Sequence, residues 1–199
     1  MTSLQRKAVF IDRDGTITEE TGYLDHPDKL RLIAGSAEAI KLINDLGMKV
    51  IVVTNQSGVA RGYFPEQMIK QVHDRLEELL LEKGARIDAI YYCPHHPSAG
   101  KPPYRSDCEC RKPKTGMIDA ALQDFDIDVN NSYMIGDKAS DMEFAENAGL
   151  KGILVQTGYG KEETALSEKM DKNRPELIAA DLLEAVAWIK NKELSATWS

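Results

Sequence analysis

Two aspartates separated by one residue, Asp12 and Asp14, are the first side chains in the sequence whose spacing suggests chemistry. They follow an uninterrupted apolar run at residues 8–11, which is typical of a central parallel strand buried on both faces. Open α/β sheets bind ligands just beyond the carboxyl ends of such strands. Because neighbouring carboxylates repel each other, the pair favours a hard cation such as Mg²⁺. A polar turn at Asp14 and Gly15 is the alternative.

The rest of the sequence alternates between short apolar runs and segments with helical periodicity. Candidate strands are residues 49–54, 87–92, 132–135 and 152–155, with 176–179 as a short last one, and candidate helices begin near residues 36, 65, 118, 140 and 182. This alternation predicts an α/β fold, a doubly wound, mostly parallel sheet with helices on both faces, in a single domain over residues 1–199. The chain is expected to fray after Lys192, and Trp198 has no evident partner.

The composition is that of a globular protein, with 42% hydrophobic and 29% charged residues in 199 positions. A net charge of −7 argues against nonspecific binding to nucleic acid or to an anionic membrane. The sequence shows no signal-peptide segment and no apolar run of transmembrane length. We therefore expect a cytoplasmic protein that acts on a small molecule and not on nucleic acid or membrane, and that is compatible with a monomer.

Two other predicted strands also end in polar residues. Thr54 and Asn55 end the second strand, and Asp137 follows the strand at residues 132–135. If the strands are parallel, these residues meet Asp12 and Asp14 at one edge of the sheet. Such a set suits phosphoryl transfer, in which Asp12 would be the nucleophile and Asp14 the general acid and base.

The other polar residues of this set could assist the same reaction. Asp137 would complete a Mg²⁺ site with Asp12, and Thr54 and Asn55 would donate to phosphoryl oxygens. Lys112 would stabilise negative charge in the transition state. Taken singly, Thr54 could be only a strand end, Asn55 a turn residue and Lys112 a solvated loop charge.

Residues 93–114 contain few apolar residues and all three cysteines of the chain. Cys93, Cys108 and Cys110, together with His95 or the neighbouring His96, could form a tetrahedral Cys₃His site for Zn²⁺. Such a metal would supply the ordering energy that an apolar core does not. A disulfide, which the reducing cytoplasm disfavours, and unpaired cysteines are the alternatives. Since four protein ligands leave no open position, the zinc would be structural.

Four segments resemble the four motifs of the haloacid dehalogenase (HAD) superfamily of phosphatases. They are Phe-Ile-Asp-Arg-Asp-Gly-Thr from Phe10, Val-Thr-Asn-Gln-Ser-Gly from Val53, Arg-Lys-Pro-Lys from Arg111 and Ile-Gly-Asp-Lys-Ala-Ser-Asp from Ile135. Within the superfamily, the chain is most similar to the heptose bisphosphate phosphatases, over nearly its whole length. Histidinol-phosphate phosphatases are one alternative, and a noncatalytic, zinc-stabilised binding module is an alternative of another class.

The resemblance implies Mg²⁺-dependent removal of the C7 phosphate of a heptose bisphosphate through an aspartyl-phosphate, in the biosynthesis of nucleotide-activated heptose for lipopolysaccharide or surface glycan. It implies Asp12 as nucleophile, Asp14 as general acid and base, and Thr54 and Lys112 as phosphoryl stabilisers. Mg²⁺ would be held by Asp12, the backbone carbonyl of Asp14, and Asp137.

The resemblance also implies a set of substrate-binding residues and selects His95 as the zinc-ligating histidine. The implied substrate-binding residues are Glu20, Thr21, Gly22, Tyr23, Asn55, Gln56, Ser57, Arg111 and Lys138. Many HAD phosphatases carry a large cap domain, but the spacing of the motifs here leaves no room for one. The site is therefore expected to be open and shaped by loops.

A few polar residues receive no firm role from the sequence. Arg61 and Arg111 could bind a second anionic group of the substrate. Asp141 lies in the first turn of a predicted helix, where the helix dipole already favours a carboxylate. His26 fits a loop and His73 a helix surface.

Overall fold

A computed structural model describes residues 5–167 and 173–196 and contains a six-stranded sheet. The strands are β1 (Ala8–Ile11), β2 (Lys49–Asn55), β3 (Ala89–Cys93), β4 (Tyr133–Gly136), β5 (Lys151–Val155) and β6 (Leu177–Ala179). They lie in the order β3-β2-β1-β4-β5-β6, and every neighbouring pair is parallel. The architecture is the doubly wound one that the sequence predicts.

Within the residues that the structure describes, six α-helices connect and cover the strands. They are α1 (Ser36–Asp45), α2 (Gln67–Leu81), α3 (Gly116–Asp124), α4 (Ala139–Ala148), α5 (Gly160–Ser167) and α6 (Leu182–Ala196). Helices α1, α2 and α6 pack on one face of the sheet, and α3 and α4 pack on the other. The sequence-based prediction omits α5, because its eight residues, Gly-Lys-Glu-Glu-Thr-Ala-Leu-Ser, lack apolar periodicity.

The central strand β1 is buried on both faces, as its apolar run predicts. Val9 and Ile11 join the core beneath α1, α2 and α6, whereas Ala8 and Phe10 join the core beneath α3 and α4. All four side chains are fully buried. Burying one large apolar side chain contributes about 1.5–3 kcal/mol, so this strand is a rigid base for the residues that follow it.

The strand order places a crevice beside the carboxyl end of β1. The chain winds from β1 to β2 and β3 on one side and then continues with β4, β5 and β6 on the other. Ligands of doubly wound sheets bind where the winding direction changes in this way. The backbone N–H of Asp12 donates to the carbonyl of Ile135 at 2.9 Å, which aligns the ends of β1 and β4.

No cap domain interrupts the stretch from Asp14 to Lys112, all of which is described. Helix α1 and strand β2 belong to the layers of the main fold, as do α2 and β3. None of the described helices is long and apolar enough to cross a bilayer.

Two sequence-based expectations about particular residues are wrong. His73 does not lie on the surface of α2, because its side chain points inward and the residue is only 7% exposed. The expected fraying after Lys192 is wrong for residues 193–196, because α6 continues to Ala196 and Glu193 forms an ion pair with Lys7. Trp198 lies outside the described residues.

Gly15 allows the loop after β1 to approach the loop after β4. Its φ is +82°, and a Cβ at this position would lie 2.2 Å from Oδ2 of Asp137. The Thr157 hydroxyl donates to the Gly15 carbonyl at 2.6 Å, so the loop after β5 also meets this point. A side chain at residue 15 would therefore disturb three strand ends together.

We predict that Gly15→Ala destabilises the protein more than Gly47→Ala, which serves as the matched control. Gly47 has a similar φ of +72°, but a Cβ there would meet nothing within 4 Å. The left-handed backbone alone costs about 1–2 kcal/mol, and overpacking at Gly15 adds about 1–3 kcal/mol. Urea unfolding measures both losses, and equal losses would show that the three loops are not tightly packed around Gly15.

Candidate active site

Three buried carboxylates meet at the carboxyl ends of β1 and β4. Asp12 follows β1, Asp137 follows β4, and Asp141 lies in the first turn of α4. One carboxylate oxygen from each residue lies within 4.8 Å of those of the other two, and no member of the group is more than 4% exposed. The sequence predicted Asp12 and Asp137 here but left Asp141 without a role.

Lys112 directly contacts two of these three carboxylates. Its Nζ lies 2.8 Å from Asp12 Oδ1, 2.7 Å from Asp141 Oδ1 and 2.8 Å from the carbonyl oxygen of Val53. Burial opposes the charged form of Lys112, but Asp12 and Asp141 outweigh that effect and raise the pKa of its ammonium group. Lys112 is therefore protonated and fully engaged between the two carboxylates.

Asp137 has one satisfied carboxylate oxygen and one unsatisfied oxygen. The backbone N–H of Tyr159 donates to Oδ2 at 2.9 Å, whereas the buried Oδ1 has no hydrogen-bond partner and lies 3.7 Å from Nζ of Lys138. Burial and the charge of Asp12 raise the pKa of Asp137 to about 7. An unpartnered buried carboxylate oxygen beside a second carboxylate fits a hard divalent cation.

The carboxylate of Asp14 is held apart from the acidic group. Arg13 donates from Nε to Oδ1 at 2.9 Å and from NH2 to Oδ2 at 2.8 Å, and Gln56 Nε2 donates to Oδ2 at 2.8 Å. Burial favours the neutral acid, but the charge and hydrogen bonds of Arg13, together with Gln56, outweigh it and lower the pKa of Asp14. In this arrangement Asp14 is an ionised proton acceptor.

Asn55 and Gln56, both expected to bind substrate, use their side chains to hold other site residues. Asn55 Nδ2 donates to the carbonyl oxygen of Lys112 at 3.1 Å, and the N–H of Lys112 donates to Asn55 Oδ1 at 3.1 Å. Besides Asp14, Gln56 Nε2 also donates to Thr54 Oγ1 at 2.8 Å. Because that oxygen accepts from Gln56, the Thr54 hydroxyl can donate its own hydrogen outward.

A cavity of about 390 Å³ opens above these groups. Most of the residues predicted from the sequence line it: Asp12, Asp14, Glu20, Gly22, Tyr23, Thr54, Asn55, Gln56, Ser57, Arg111, Lys112 and Lys138. Asp137 lies fully buried beneath the cavity, and Thr21 and Arg61 do not line it. The cavity therefore combines acidic, hydroxyl and cationic groups in a space suited to a small anionic molecule.

Sequence reasoning missed five of the lining residues. These are Leu24, Gly58, Ser140, Asp141 and Tyr159. Ser140 and Asp141 belong to the motif that contains Asp137, so their position beside the cavity could have been inferred. Tyr159 follows β5, whose carboxyl end lies at the same edge of the sheet, and that position was the available signal.

Lys138 lines the cavity and lies near two carboxylates and the aromatic ring of Tyr159. Its Nζ lies 3.2 Å from Glu20 Oε2 and 4.8 Å from the centre of the Tyr159 ring. Burial opposes its charge, but Asp12, Asp137 and Glu20 outweigh burial and raise the pKa of Lys138. The group is therefore a fixed positive charge available to an anionic ligand.

A second group of potential metal ligands lies in the segment before Lys112. Cys93, His95, Cys108 and Cys110 bring three Sγ atoms and His95 Nδ1 to within 4.8 Å of one another, and all three cysteines are free. The Sγ atom of Cys108 lies 3.4 Å from that of Cys93 and 3.3 Å from that of Cys110. This donor set fits a tetrahedral zinc ion.

The two neighbouring histidines have different surroundings. Nδ1 of His95 lies 3.4 Å from Cys110 Sγ, whereas Nδ1 of His96 accepts from the N–H of Ala99 at 2.9 Å and its Nε2 lies 3.0 Å from NH2 of Arg61. The cluster therefore includes His95 and not His96. Arg111 NH1 donates to the carbonyl oxygen of His95 at 3.1 Å, which links the cluster to the cavity lining.

Comparisons with known proteins agree with this fold. The family model described as HAD-hydrolase-like matches residues 109–185. The D-glycero-beta-D-manno-heptose-1,7-bisphosphate 7-phosphatase of Haemophilus ducreyi is 44% identical over 186 residues, which cover 92% of this chain and 98% of that protein. The protein of Thermosynechococcus vestitus named D-glycero-D-manno-heptose-1,7-bisphosphate 7-phosphatase is 43% identical over 94% of this chain and 96% of its own length.

A solved structure shows the same architecture. The crystal structure of D,D-heptose 1,7-bisphosphate phosphatase from B. bronchiseptica, complexed with magnesium and phosphate, has a TM-score of 0.82 and 31% sequence identity, and the match covers 94% of this chain and 99% of that one. Because relatives more than 40% identical match nearly end to end, this chain belongs to the D-glycero-D-manno-heptose-1,7-bisphosphate 7-phosphatase family of HAD-like hydrolases.

Proposed function

We propose that this protein is a phosphatase that removes the C7 phosphate of D-glycero-D-manno-heptose 1,7-bisphosphate, in the biosynthesis of nucleotide-activated heptose. Family membership supports the substrate, because the relatives are named for this reaction. The observation that carries the chemistry is the buried contact of Asp12 with Lys112, beside the unpartnered oxygen of Asp137. We also propose that residues 1–199 form one catalytic domain.

Asp12 is the proposed nucleophile. One of its carboxylate oxygens would attack the C7 phosphorus, forming a bond between Asp12 and phosphorus while the bond from phosphorus to the sugar oxygen breaks. Asp12 lines the cavity and lies at the end of a fully buried strand, so its position varies little. A fixed nucleophile near its target accounts for a large part of a rate enhancement.

Asp14 is the proposed general acid and base. It would give a proton to the departing sugar oxygen and then accept one from the water that cleaves the aspartyl-phosphate, which releases phosphate and restores Asp12. Arg13 and Gln56 keep the pKa of Asp14 low without substrate. A phosphate dianion nearby would raise that pKa, because like charges disfavour ionisation, and so would favour the protonated acid.

The phosphoryl group would be stabilised by Thr54 and Lys112. The Thr54 hydroxyl can donate outward because its oxygen accepts from Gln56. Lys112 lies 2.8 Å from Asp12 and would face the negative charge of the transition state. We propose Mg²⁺ as the cofactor, held by Asp12, the backbone carbonyl of Asp14, and Asp137. When bound, Mg²⁺ would lessen the repulsion between the phosphate and the attacking carboxylate.

The rest of the sugar bisphosphate would be recognised at the cavity mouth. Arg111 and Lys138 are the cations that line the cavity besides Lys112, and we propose that they contact the anionic substrate. The loop from Glu20 to Tyr23 would lie along the sugar. Asn55, with its side-chain amide paired to the backbone of Lys112, would contribute by fixing Lys112 and not by binding the substrate through that amide.

We predict that the purified protein releases phosphate from heptose 1,7-bisphosphate only with Mg²⁺ present, and much faster than from histidinol phosphate. The product should retain the C1 phosphate, which ³¹P NMR identifies. EDTA should abolish turnover, and Asp12→Asn should lower kcat by a factor of roughly 10³ or more, because the nucleophile is lost.

Asp45→Asn is the matched control for Asp12→Asn. Asp45 is an exposed residue of α1 paired with Lys41, so this variant should keep full turnover. Faster hydrolysis of histidinol phosphate or loss of the C1 phosphate would overturn the proposed substrate. Undiminished turnover by Asp12→Asn would overturn the mechanism.

We propose Zn²⁺ as a structural ion in the Cys93, His95, Cys108 and Cys110 cluster. Few apolar side chains order this segment, so metal ligation would supply the folding energy. The His95 carbonyl accepts from Arg111, which directly precedes Lys112. The ion would therefore fix the loop that carries both cations over the phosphate.

We predict that Cys108→Ser loses its zinc and most of its activity. Elemental analysis should find about one zinc per chain in the unaltered protein and close to none in the variant, because three ligands bind it far more weakly than four. Asp107→Ser, an exposed neighbour outside the cluster, should retain both zinc and activity. Retained zinc and intact activity in Cys108→Ser would refute a zinc-ordered loop.

A further inference from the structure

His73 is a buried titratable residue that the proposed reaction does not use. It lies on α2 and is 7% exposed, and its ring packs edge-on against Tyr92 at 5.7 Å between ring centres. Its Nε2 lies 3.1 Å from NH1 of Arg13. His73 therefore connects a helix on the face of the sheet to the loop that carries Asp14.

Arg13 is held rigidly between His73 and Asp14. It is 1% exposed, and its planar guanidinium group uses Nε and NH2 for Asp14 and NH1 for His73. A bidentate contact between a guanidinium and a carboxylate fixes the relative orientation of the two planar groups. The orientation of the Asp14 carboxylate thus depends on the guanidinium of Arg13. The orientation of that guanidinium depends in turn on His73, which accepts from NH1.

A neutral imidazole suits this position. Burial and the charge of Arg13 lower the pKa of His73 to about 3, so Nε2 carries a lone pair that accepts the hydrogen from NH1. A protonated ring would instead place a second positive charge beside the guanidinium. An apolar residue would leave a buried N–H of Arg13 without an acceptor, which is unfavourable and allows the guanidinium to reorient.

We propose that His73 is a positioning residue that acts through Arg13 to aim the Asp14 carboxyl group at the departing oxygen. The proposal rests on the general acid role of Asp14 stated above. It distinguishes His73 from its apolar neighbours on α2, which only fill the core.

The proton transfer provides a readout that packing alone does not affect. In the first step the bond from Asp12 to phosphorus forms, the bond from phosphorus to the leaving oxygen breaks, and the proton of Asp14 passes to that oxygen. A sugar alkoxide is too basic to leave without this proton, whereas 4-nitrophenolate spreads its charge over the ring and leaves without it. A misaimed Asp14 should therefore slow the sugar ester far more than the aryl ester.

The experiment compares kcat/KM for heptose 1,7-bisphosphate and for 4-nitrophenyl phosphate in four variants of the full chain with Mg²⁺. In His73→Leu, the ratio of the sugar value to the aryl value should fall about 10- to 100-fold. In Asp14→Asn, the same ratio should fall further. His73→Gln keeps an acceptor for Arg13 and should restore most of the ratio. Val72→Ala, a buried neighbour on α2, should lose stability in thermal unfolding but keep the ratio.

The possible outcomes separate this proposal from the one on which it rests. A selective loss in Asp14→Asn together with an unchanged ratio in folded His73→Leu would overturn the role of His73 and leave the role of Asp14 intact. An unchanged ratio in Asp14→Asn would overturn both. A similar fall in Val72→Ala would also overturn the proposal, since it would reflect general loosening of α2. If His73→Leu does not fold, a ratio in His73→Gln that lies well below the ratio of the unaltered protein overturns the role of His73.

Discussion

The contact between Lys112 and two buried aspartates is the interaction on which the rest of this site depends. Asp12, Asp137 and Asp141 bring carboxylate oxygens within 4.8 Å of one another in a region nearly closed to solvent. Each pair of like charges about 4 Å apart costs about 4 kcal/mol at the effective dielectric of a protein. Lys112 offsets part of this repulsion by contacting Asp12 and Asp141. The remaining charge, on the side of Asp137, explains why the site is suited to a divalent cation.

Several distant parts of the chain hold Lys112 in place. The side chain of Asn55, at the end of β2, hydrogen-bonds to both the N–H and the carbonyl oxygen of Lys112. Strand β2 pairs with β3, which ends at Cys93 of the cysteine-histidine cluster. Arg111, directly before Lys112, binds the carbonyl of His95. The sheet edge and the cluster thus converge on one short loop, and this arrangement explains how a polar segment without a core of its own can present a buried lysine.

Much of the fold could be predicted because β1, β2 and β4 are buried on both faces and therefore appear as uninterrupted apolar runs. Asp12, Thr54 and Asp137 could be placed at one edge because Asp12 and Asp137 directly follow such strands and Thr54 lies next to the last residue of β2, which ends at Asn55. Helix α5 could not be predicted because it has almost no apolar periodicity. His73 is polar within an otherwise apolar stripe of α2, and its burial depends on Arg13, 60 positions earlier. The side-chain partners of Asn55 and Gln56 are likewise tertiary contacts, which no local pattern reveals.

The proposed reaction depends on a covalent bond that forms between phosphorus and Asp12, the carboxylate fixed beside Lys112. Acid quenching of a single turnover with enzyme in excess over heptose 1,7-bisphosphate, followed by mass spectrometry of the peptides, tests it directly. A transient phosphoryl group should appear on Asp12 and should rise and decay within one turnover. Complete release of phosphate with no phosphoryl group ever found on Asp12, or with that group on another side chain, would contradict the proposed reaction.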